Sequence, residues 1–224
     1  RLAVAADAVT AYAGALGNRP GAVVAAGTGL IALGTDLVEW RRADGWGHLL
    51  GDCGGGAWIG RAGLEAAVRA HDGRPGGSAR LLERAEELLG PVERLPEQLY
   101  PRADRPAVLA SFAPAVGACA AEGDPVAGGI LAEAAREIAA SAAAALPERG
   151  KVPHSPAPLA FVGGLLGLGE PLLRPLRREL SERLPDVPTH WPRATPLDGA
   201  LRLASGLLKG RQALPVDGRL LTVH

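Results

Sequence analysis

Residues 21–35 read GAVVAAGTGLIALGT, and this stretch decides how the chain folds. Ala22–Ala26 is a run of small apolar residues typical of a buried strand, and Gly27-Thr28-Gly29 ends it. Leu30–Gly34 and Leu37–Arg41 continue as strands after short breaks. Three short strands joined by tight turns predict an antiparallel meander.

The stretch before the meander predicts a strand followed by a helix. Leu2–Ala6 is a short apolar run that stops at Asp7. Ala8–Leu16 has the small-residue composition of a helix that ends at Gly17-Asn18. Asp7 therefore lies where a strand passes into a helix.

Beyond the meander the pattern is mainly helical. Residues 44–60 contain seven glycines and predict a loop that leads into a helix over Ala57–His71. The pattern turns helical at Ser78, where Leu81, Leu82, Ala85, Leu88 and Leu89 share one face, and a further helix is predicted over Ala107–Ala121. Asp124-Pro125 then combines an N-cap residue with a proline at the first helical position, which predicts the start of a long helix.

The last third of the chain contains a second junction between a strand and glycines. A Pro-rich connector over Lys151–Pro158 precedes the apolar strand Leu159–Val162, which runs into Gly163-Gly164. The remaining predictions are a helix over Glu170–Leu184, a short strand within Pro185–Arg193 and a helix over Pro196–Leu208. No clear pattern follows Leu208.

Composition limits the classes of partner. The 224 residues are 47% hydrophobic, enough for a substantial buried core, and 24 Lys and Arg balance 24 Asp and Glu. Without a basic stripe, neither nucleic acid nor a membrane surface is expected as a partner, and a neutral small molecule fits better. No apolar run approaches the ~20 residues of a membrane span. Cys53 and Cys119 lack metal-site spacing, so we expect no metal ligand set and a cytoplasmic protein.

Two short motifs could carry chemistry. Gly27-Thr28-Gly29 follows a strand directly, where glycines let phosphate oxygens approach backbone N–H groups, although the same tripeptide could be only a hairpin turn. Residues 45–52 read GWGHLLGD. Trp46 could stack on a sugar ring and Asp52 could bind its hydroxyls, or Trp46 could be core and Asp52 could cap the next helix.

Together these residues resemble the N-acetylglucosamine kinase family and its relatives, the BadF/BadG/BcrA/BcrD-type ATPases of the actin-like sugar kinase superfamily. The family's strand followed by AGTGS is similar to Ala26–Leu30, and its WGHxLGDEGS string is similar to Trp46–Gly55. Its strand-Asp-Ala element resembles Ala6-Asp7-Ala8, and its adenosine-side strand-Gly-Gly element resembles Phe161–Gly164.

The resemblance implies an α/β protein with the actin-like ATPase fold, which is ribonuclease H-like. Most of the chain would be the second domain, with a remnant of the first. Residues 1–20 would end the N-terminal domain, residues 21–208 would form the C-terminal ATPase domain, and residues 209–224 would be a tail.

The resemblance also implies phosphoryl transfer from MgATP to a hydroxyl of an amino sugar such as N-acetylglucosamine, by a protein expected to form a homodimer. Asp7 would be the general base, although its position equally suits a helix N-cap. We expect His48 to hydrogen-bond or support the loop without transferring a proton. The implied phosphate and adenosine contacts are Gly27, Thr28, Gly29, Gly163 and Gly164, and the implied sugar contacts are Gly45, Trp46, Gly47, His48 and Asp52.

The chain departs from the family pattern in two absent elements and two local replacements. The family's N-terminal DGGxTKT turn and its sugar-contacting Asn region are absent from these residues, and no Met stands at position 1. We therefore expect the native start to lie upstream and this fragment to be inactive, since catalysis by positioning tolerates an incomplete site badly. Leu30 replaces a Ser, and Cys53-Gly54-Gly55 replaces Glu-Gly-Ser, so a kinase that prefers glucosamine is an alternative.

Two other functions compete with the kinase. An ATPase that activates a radical dehydratase or reductase would need cysteines for an iron–sulfur cluster shared by two subunits, and Cys53 is the residue that could serve. A degenerate relative could instead keep a sugar-sensing pocket or an oligomerisation surface without catalysis.

Overall fold

The predicted meander lies in a five-stranded sheet. The computed structural model describes residues 2–148, 150, 156–192, 195–211 and 213–224. Lys151–Ser155 of the predicted connector and Arg193 of the predicted strand segment lie outside these residues. The strands are β1 (Ala3–Ala5), β2 (Gly21–Ala26), β3 (Leu30–Thr35), β4 (Trp40–Asp44), β5 (Leu159–Val162), β6 (Thr189–His190) and β7 (Leu221–Val223).

The helices follow the predicted order, with one addition in the middle of the chain. They are α1 (Asp7–Leu16), α2 (Gly56–His71), α3 (Ala79–Leu89), α4 (Leu95–Leu99), α5 (Arg105–Ser111), α6 (Ala113–Ala121), α7 (Pro125–Ala145), α8 (Glu170–Arg183) and α9 (Pro196–Leu208). Short 3-10 turns cover Val92–Arg94 and Gly164–Leu168. Helix α4 was not predicted, because five residues are too few to show helical periodicity.

The sheet has the order β4-β3-β2-β5-β6. Strands β2, β3 and β4 pair antiparallel, which confirms the meander, and β5 joins parallel to β2 with Phe161 opposite Val24. Strand β6 continues the parallel side. Because β2 and β5 are parallel neighbours, the glycines that follow them lie at the same edge of the sheet.

Two predicted elements are corrected. Strand β4 begins at Trp40 and not at Leu37, because residues 36–39 form a turn in which Asp36 Oδ1 accepts the N–H groups of Val38 and Glu39, at 2.9 and 3.0 Å. The helix predicted over residues 107–121 is two helices. It breaks at Phe112, because Pro114 has no N–H to continue the helical hydrogen bonds.

Side chains of the sheet alternate between two apolar layers. Val24, on one face, belongs to a buried cluster with residues of α2, α6, α7 and α8, among them Ile59 and Ile138. Val23, on the other face, belongs to a second cluster with Tyr12 of α1 and Leu203 of α9. Burial on both faces explains why β2 and β5 are continuous apolar runs without polar alternation.

The two ends of the chain meet beside the second layer. Strand β7 pairs antiparallel with β1, so that Leu221 lies opposite Ala5. This strand lies in residues 209–224, where no element was predicted, because a three-residue strand is too short to show a period. The division into domains stays a prediction.

Within the described residues, no single helix has the length and apolarity needed to cross a membrane. Residues 105–121 and 125–145 reach those values only as a pair, and the chain bends by 117° between them.

Candidate functional site

A cleft of about 610 Å³ opens at the sheet edge where β2 ends. Its walls include the start of α1, the turn between β2 and β3, the end of β5 and the loop after β4. Seven of the predicted site residues line it: Asp7, Gly27, Thr28, Gly29, Gly45, Asp52 and Gly163. Residues predicted from four separate stretches of sequence therefore meet at one place.

The turn Gly27-Thr28-Gly29 is both the hairpin connection and a support for helix α2. Ala26 pairs with Leu30 across it, and Gly27 N–H donates to Gly29 O at 2.9 Å. The carbonyl groups of Gly27 and Thr28 accept the N–H groups of Gly56 and Ala57, each at 2.8 Å. The turn is thus held against α2, while the Thr28 side chain is exposed to the cleft.

Asp52 lies directly against this turn. Its Oδ1 accepts the N–H of Gly47 at 3.0 Å, and its other oxygen faces Gly29, where a Cβ would overlap the carboxylate. Asp52 does not cap α2 through its side chain, since the N-cap residue is Gly55 and no side chain caps that helix. The Asp52 carboxylate is therefore free of a capping role and lines the cleft, so the alternative that Asp52 caps the next helix is not supported.

Burial raises the pKa of Asp52 above its ordinary value. The Gly47 N–H opposes this rise, while the nearby Asp44 carboxylate adds to it. A partly desolvated carboxylate in a cleft is a strong acceptor for hydroxyl groups.

Asp7 is the first residue of α1, and its exposed side chain lines the cleft. Its Oδ1 accepts the N–H of Ala8 at 2.7 Å. The N-cap position itself belongs to Ala6, which makes no side-chain cap. Asp7 therefore lines the cleft and is not the N-cap residue of α1.

The cleft is open beside the turn that follows β2. A Cβ built on Gly27 would meet nothing within 4 Å, so the space beside this turn is open. Gly163, at the end of β5, has φ 113°, and a Cβ there would overlap the Ala26 carbonyl oxygen. The open space beside Gly27 would admit a phosphate oxygen, whereas Gly163 is required because the chain packs closely against β2 there. Asp7 and Asp52 are the carboxylates of the cleft, which suits Mg²⁺ held mainly by nucleotide phosphates.

Four predicted residues are not brought to the cleft. Trp46 is 64% exposed, and the Arg42 guanidinium carbon lies 3.8 Å from its ring centre, so Trp46 is neither core nor cleft wall. Gly47 donates to Asp52 without lining the cleft, and Gly164 begins a 3-10 turn. Positive φ angles of 77° at Gly45 and 83° at Gly47 turn the chain on either side of Trp46, and the Trp46 side chain does not line the cleft.

His48, the fourth of these residues, lines a separate groove of about 750 Å³ beside α2. Its Nε2 is buried and has no hydrogen-bond partner among the described residues. The groove also includes Leu64 and Leu109. The sequence motif GWGHLLGD is therefore split between two surfaces.

The cysteines do not form a metal centre in the part of the chain that the structure describes. Cys53 is half-buried, Cys119 is buried in α6, and burial raises the pKa of both thiols. Among the described His, Cys, Asp and Glu residues, no group of three or more could hold a metal ion.

Asp44 belongs to the site's framework and was missed in the sequence. Its side chain accepts the backbone N–H groups of Gly45, Asp52 and Cys53, at 2.7, 2.6 and 2.8 Å. The available signal was the Asp44-Gly45 pair a few residues after a predicted strand, which is typical of a turn.

Comparison with known proteins shows which family the chain resembles. A model of the BadF/BadG/BcrA/BcrD ATPase family matches residues 2–201. Over 144 residues the chain is 36% identical to an N-acetylmuramic acid/N-acetylglucosamine kinase of Clostridium acetobutylicum, a match that covers 62% of this chain and 46% of that kinase.

Solved structures show the same fold. The chain matches a candidate N-acetylglucosamine kinase from Chromobacterium violaceum with a TM-score of 0.68 and 31% identity, over 88% of this chain and 64% of that one. A ROK family glucokinase from Streptomyces griseus, solved with glucose and AMPPNP, matches with a TM-score of 0.56 and 21% identity, over 90% of this chain and 66% of that one. The fold is therefore that of the actin-like sugar kinases, as predicted.

The chain spans less than half the length of the clostridial kinase and about two thirds of either solved structure. The family model, in contrast, covers nearly all of this chain. The resemblance predicted from the sequence is thus confirmed, and the chain belongs to the BadF/BadG/BcrA/BcrD ATPase family.

Proposed function

We propose that the protein containing this chain transfers a phosphoryl group from MgATP to a hydroxyl of an amino sugar such as N-acetylglucosamine. The observation that carries this proposal is the meeting of Asp7, the Gly27–Gly29 turn and Asp52 in one cleft. The clostridial relative, which carries kinase in its name, supports it. Because the chain spans only part of its relatives, the activity is proposed for the protein as a whole.

Asp7 would be the general base. A sugar hydroxyl is a weak nucleophile, and an exposed carboxylate within hydrogen-bond reach can accept its proton as the bond to phosphorus forms. Asp7 suits this role because its carboxylate is exposed at the cleft, and the bond that its Oδ1 accepts from Ala8 N–H leaves acceptor capacity for a hydroxyl.

The turn between β2 and β3 would hold the nucleotide's phosphates. The Thr28 hydroxyl is exposed to the cleft, and the space beside Gly27 is open, so a phosphate oxygen could approach its backbone closely. Gly29 lines the same cleft, with Asp52 against it. Gly163 would let the adenosine lie against backbone, with Gly164 beside it at the start of the 3-10 turn. Bound MgATP supplies the phosphoryl group and a cation that offsets the charge on it.

Asp52 and Gly45 would bind the sugar, since both line the cleft. Asp52 can accept hydrogen bonds from two neighbouring hydroxyls through its two oxygens. The same loop carries Trp46, Gly47 and His48, which do not line the cleft. These residues would support the sugar-binding loop without contacting the sugar in the cleft. A cytoplasmic location, a homodimer and the division at residues 20 and 208 belong to the same proposal.

The test is sugar-dependent ADP release by the natural full-length protein. We expect turnover with N-acetylglucosamine or glucosamine and little without sugar. Asp7→Asn should lower kcat by about two to four orders of magnitude, the usual contribution of a general base. Asp104→Asn, an exposed aspartate paired with Arg102 away from the cleft, is the matched control and should keep wild-type turnover.

Three outcomes would contradict the proposal in different ways. Wild-type turnover in Asp7→Asn would show that Asp7 is not the general base. ATP hydrolysis that is indifferent to sugar, together with bound iron and sulfide, would indicate the activator type of ATPase. A folded protein without any turnover would indicate a non-catalytic relative.

A further inference from the structure

One side chain closes the loop that carries Asp52. Asp44 is the last residue of β4, and both of its carboxylate oxygens accept backbone N–H groups. Its Oδ1 accepts from Gly45 at 2.7 Å and from Asp52 at 2.6 Å, and its Oδ2 accepts from Cys53 at 2.8 Å. The beginning and the end of the loop are therefore tied to one carboxylate.

The local backbone is shaped around this carboxylate. Asp44 has φ 59°, in the left-handed region that aspartate tolerates better than most residues. A Cβ on Gly51 would overlap Asp44 Oδ1, so the loop passes over the carboxylate in direct contact. Three short hydrogen bonds to a charged acceptor offset the cost of this conformation.

The hydrogen bond from Asp52 N–H to Asp44 holds the backbone of Asp52 in place. The Asp52 N–H is bound by Asp44, its Oδ1 accepts from Gly47, and its other oxygen rests against Gly29. Since Asp52 itself has φ 56°, its side chain reaches the cleft only while the loop keeps this conformation. Within the described residues, the cleft is lined by Gly45 and Asp52 but not by Asp44.

We infer that Asp44 is a positioning residue that sets the affinity for the sugar by holding the Asp52 carboxylate at the cleft. Asp44 does this without touching the sugar. The effect on sugar affinity rests on the proposed function, whereas the effect on the loop does not.

Two substitutions separate the carboxylate from the backbone conformation. Asp44→Gly keeps the positive φ at no steric cost but removes all three hydrogen bonds. Asp44→Asn also suits this φ and keeps one oxygen, while its amide N–H would face a backbone N–H donor. The inference therefore predicts a graded effect, with Asn between the wild type and Gly.

Asp36→Gly is the matched control. Asp36 lies at the other end of the β3–β4 hairpin and also accepts two backbone N–H groups, from Val38 and Glu39. Its loss removes the same kind of bond in the same hairpin, away from the cleft. Any effect that comes only from a weakened hairpin appears in both variants.

Steady-state kinetics of the natural full-length protein give the first readout. In Asp44→Gly we expect the KM for the sugar to rise by about 10- to 100-fold, because displacements near 1 Å at a reacting site have costs of this order. The KM for ATP should change less, and Asp36→Gly should keep the wild-type KM for the sugar. A sugar KM that is unchanged in Asp44→Gly would overturn the inference.

Hydrogen exchange of backbone amides gives a second readout that needs no activity. The N–H groups of Asp52 and Cys53 should exchange slowly in the wild type and in Asp36→Gly, and much faster in Asp44→Gly. If the wild type turns over no sugar, the proposed function fails while this comparison still decides whether Asp44 holds the loop. Equal exchange in the wild type and Asp44→Gly would show that it does not.

Discussion

At the scale of single residues, two glycines of the cleft stand where any side chain would clash with a neighbouring group. The φ angle of Gly29 is not in the left-handed region, so φ by itself does not require glycine there. What requires glycine is the Asp52 carboxylate lying against its Cα. Gly163 is constrained twice, by φ 113° and by the Ala26 carbonyl oxygen. Contacts between distant parts of the sequence therefore decide the residue type.

We predict that Gly29→Ala displaces Asp52 and lowers the free energy of unfolding by about 1–3 kcal/mol, the usual cost of inserting a methyl group into a packed site. Gly27→Ala, in the same turn but facing open space, should keep the wild-type stability. Urea denaturation of both variants checks this.

A double-mutant cycle sharpens the test of Gly29. The pair Gly29→Ala with Asp52→Ala should recover part of the lost stability, because the second change removes the carboxylate that the new methyl group meets. Equal stability of Gly29→Ala and Gly27→Ala, or strict additivity in the cycle, would contradict the steric account.

At the scale of elements, the helical half is organised by linked caps. Asp124 Oδ1 accepts the N–H of Ala127 at 2.8 Å and caps α7. Its Oδ2 accepts the Ser78 hydroxyl at 2.7 Å, and Ser78 Oγ accepts the N–H of Leu81 at 3.1 Å, which caps α3. Two helix starts that are distant in sequence are thus joined by one hydrogen bond.

We predict that Asp124→Ala lowers the free energy of unfolding by about 1–3 kcal/mol, since it removes a cap and leaves the Ser78 hydroxyl without its acceptor. Asp124→Asn, which still offers one acceptor oxygen, should lose less. Ser111→Ala, where the hydroxyl is exposed and bonds only within its own helix, serves as the control. An Asp124→Ala variant as stable as Ser111→Ala would show that the linked caps contribute nothing.

At the scale of the whole molecule, the sheet separates two apolar layers that are built differently. The first is covered by α2, α6 and α7, which lie between β4 and β5 in the chain, and by α8, which follows β5. The second is closed by α1 from the beginning of the chain and by α9 and β7 from its end. Leu221, buried in that layer, joins the last strand to the core.

We predict that Leu221→Ala lowers the free energy of unfolding by about 2–5 kcal/mol, as large-to-small changes in a core do. The matched control is Leu88→Ala, the same chemical change at a side chain that is 58% exposed, and it should stay within about 0.5 kcal/mol of the wild type. If the two variants unfold alike, β7 is not part of the core.

Local signals were enough to predict most elements. Strands β2 and β5 are apolar runs that stop at glycines, and α7 begins at an N-cap aspartate followed by proline. These signals act within a few residues, so they can be read along the chain. The same reasoning failed at β7 and α4, which are too short to show a period, and at β4, where an aspartate turn displaced the start.

The sequence by itself determined the order of the main strands and helices, and its GTG and GWGHLLGD motifs indicated the family. Only the tertiary structure decided which side chains of those motifs share the cleft. Asp7, Thr28 and Asp52 converge there, whereas Trp46 and His48 turn away. The physical reason is that orientation in this loop depends on positive φ angles and on the contacts of Asp44 and Gly29 with Asp52, which join residues that are not neighbours in the sequence.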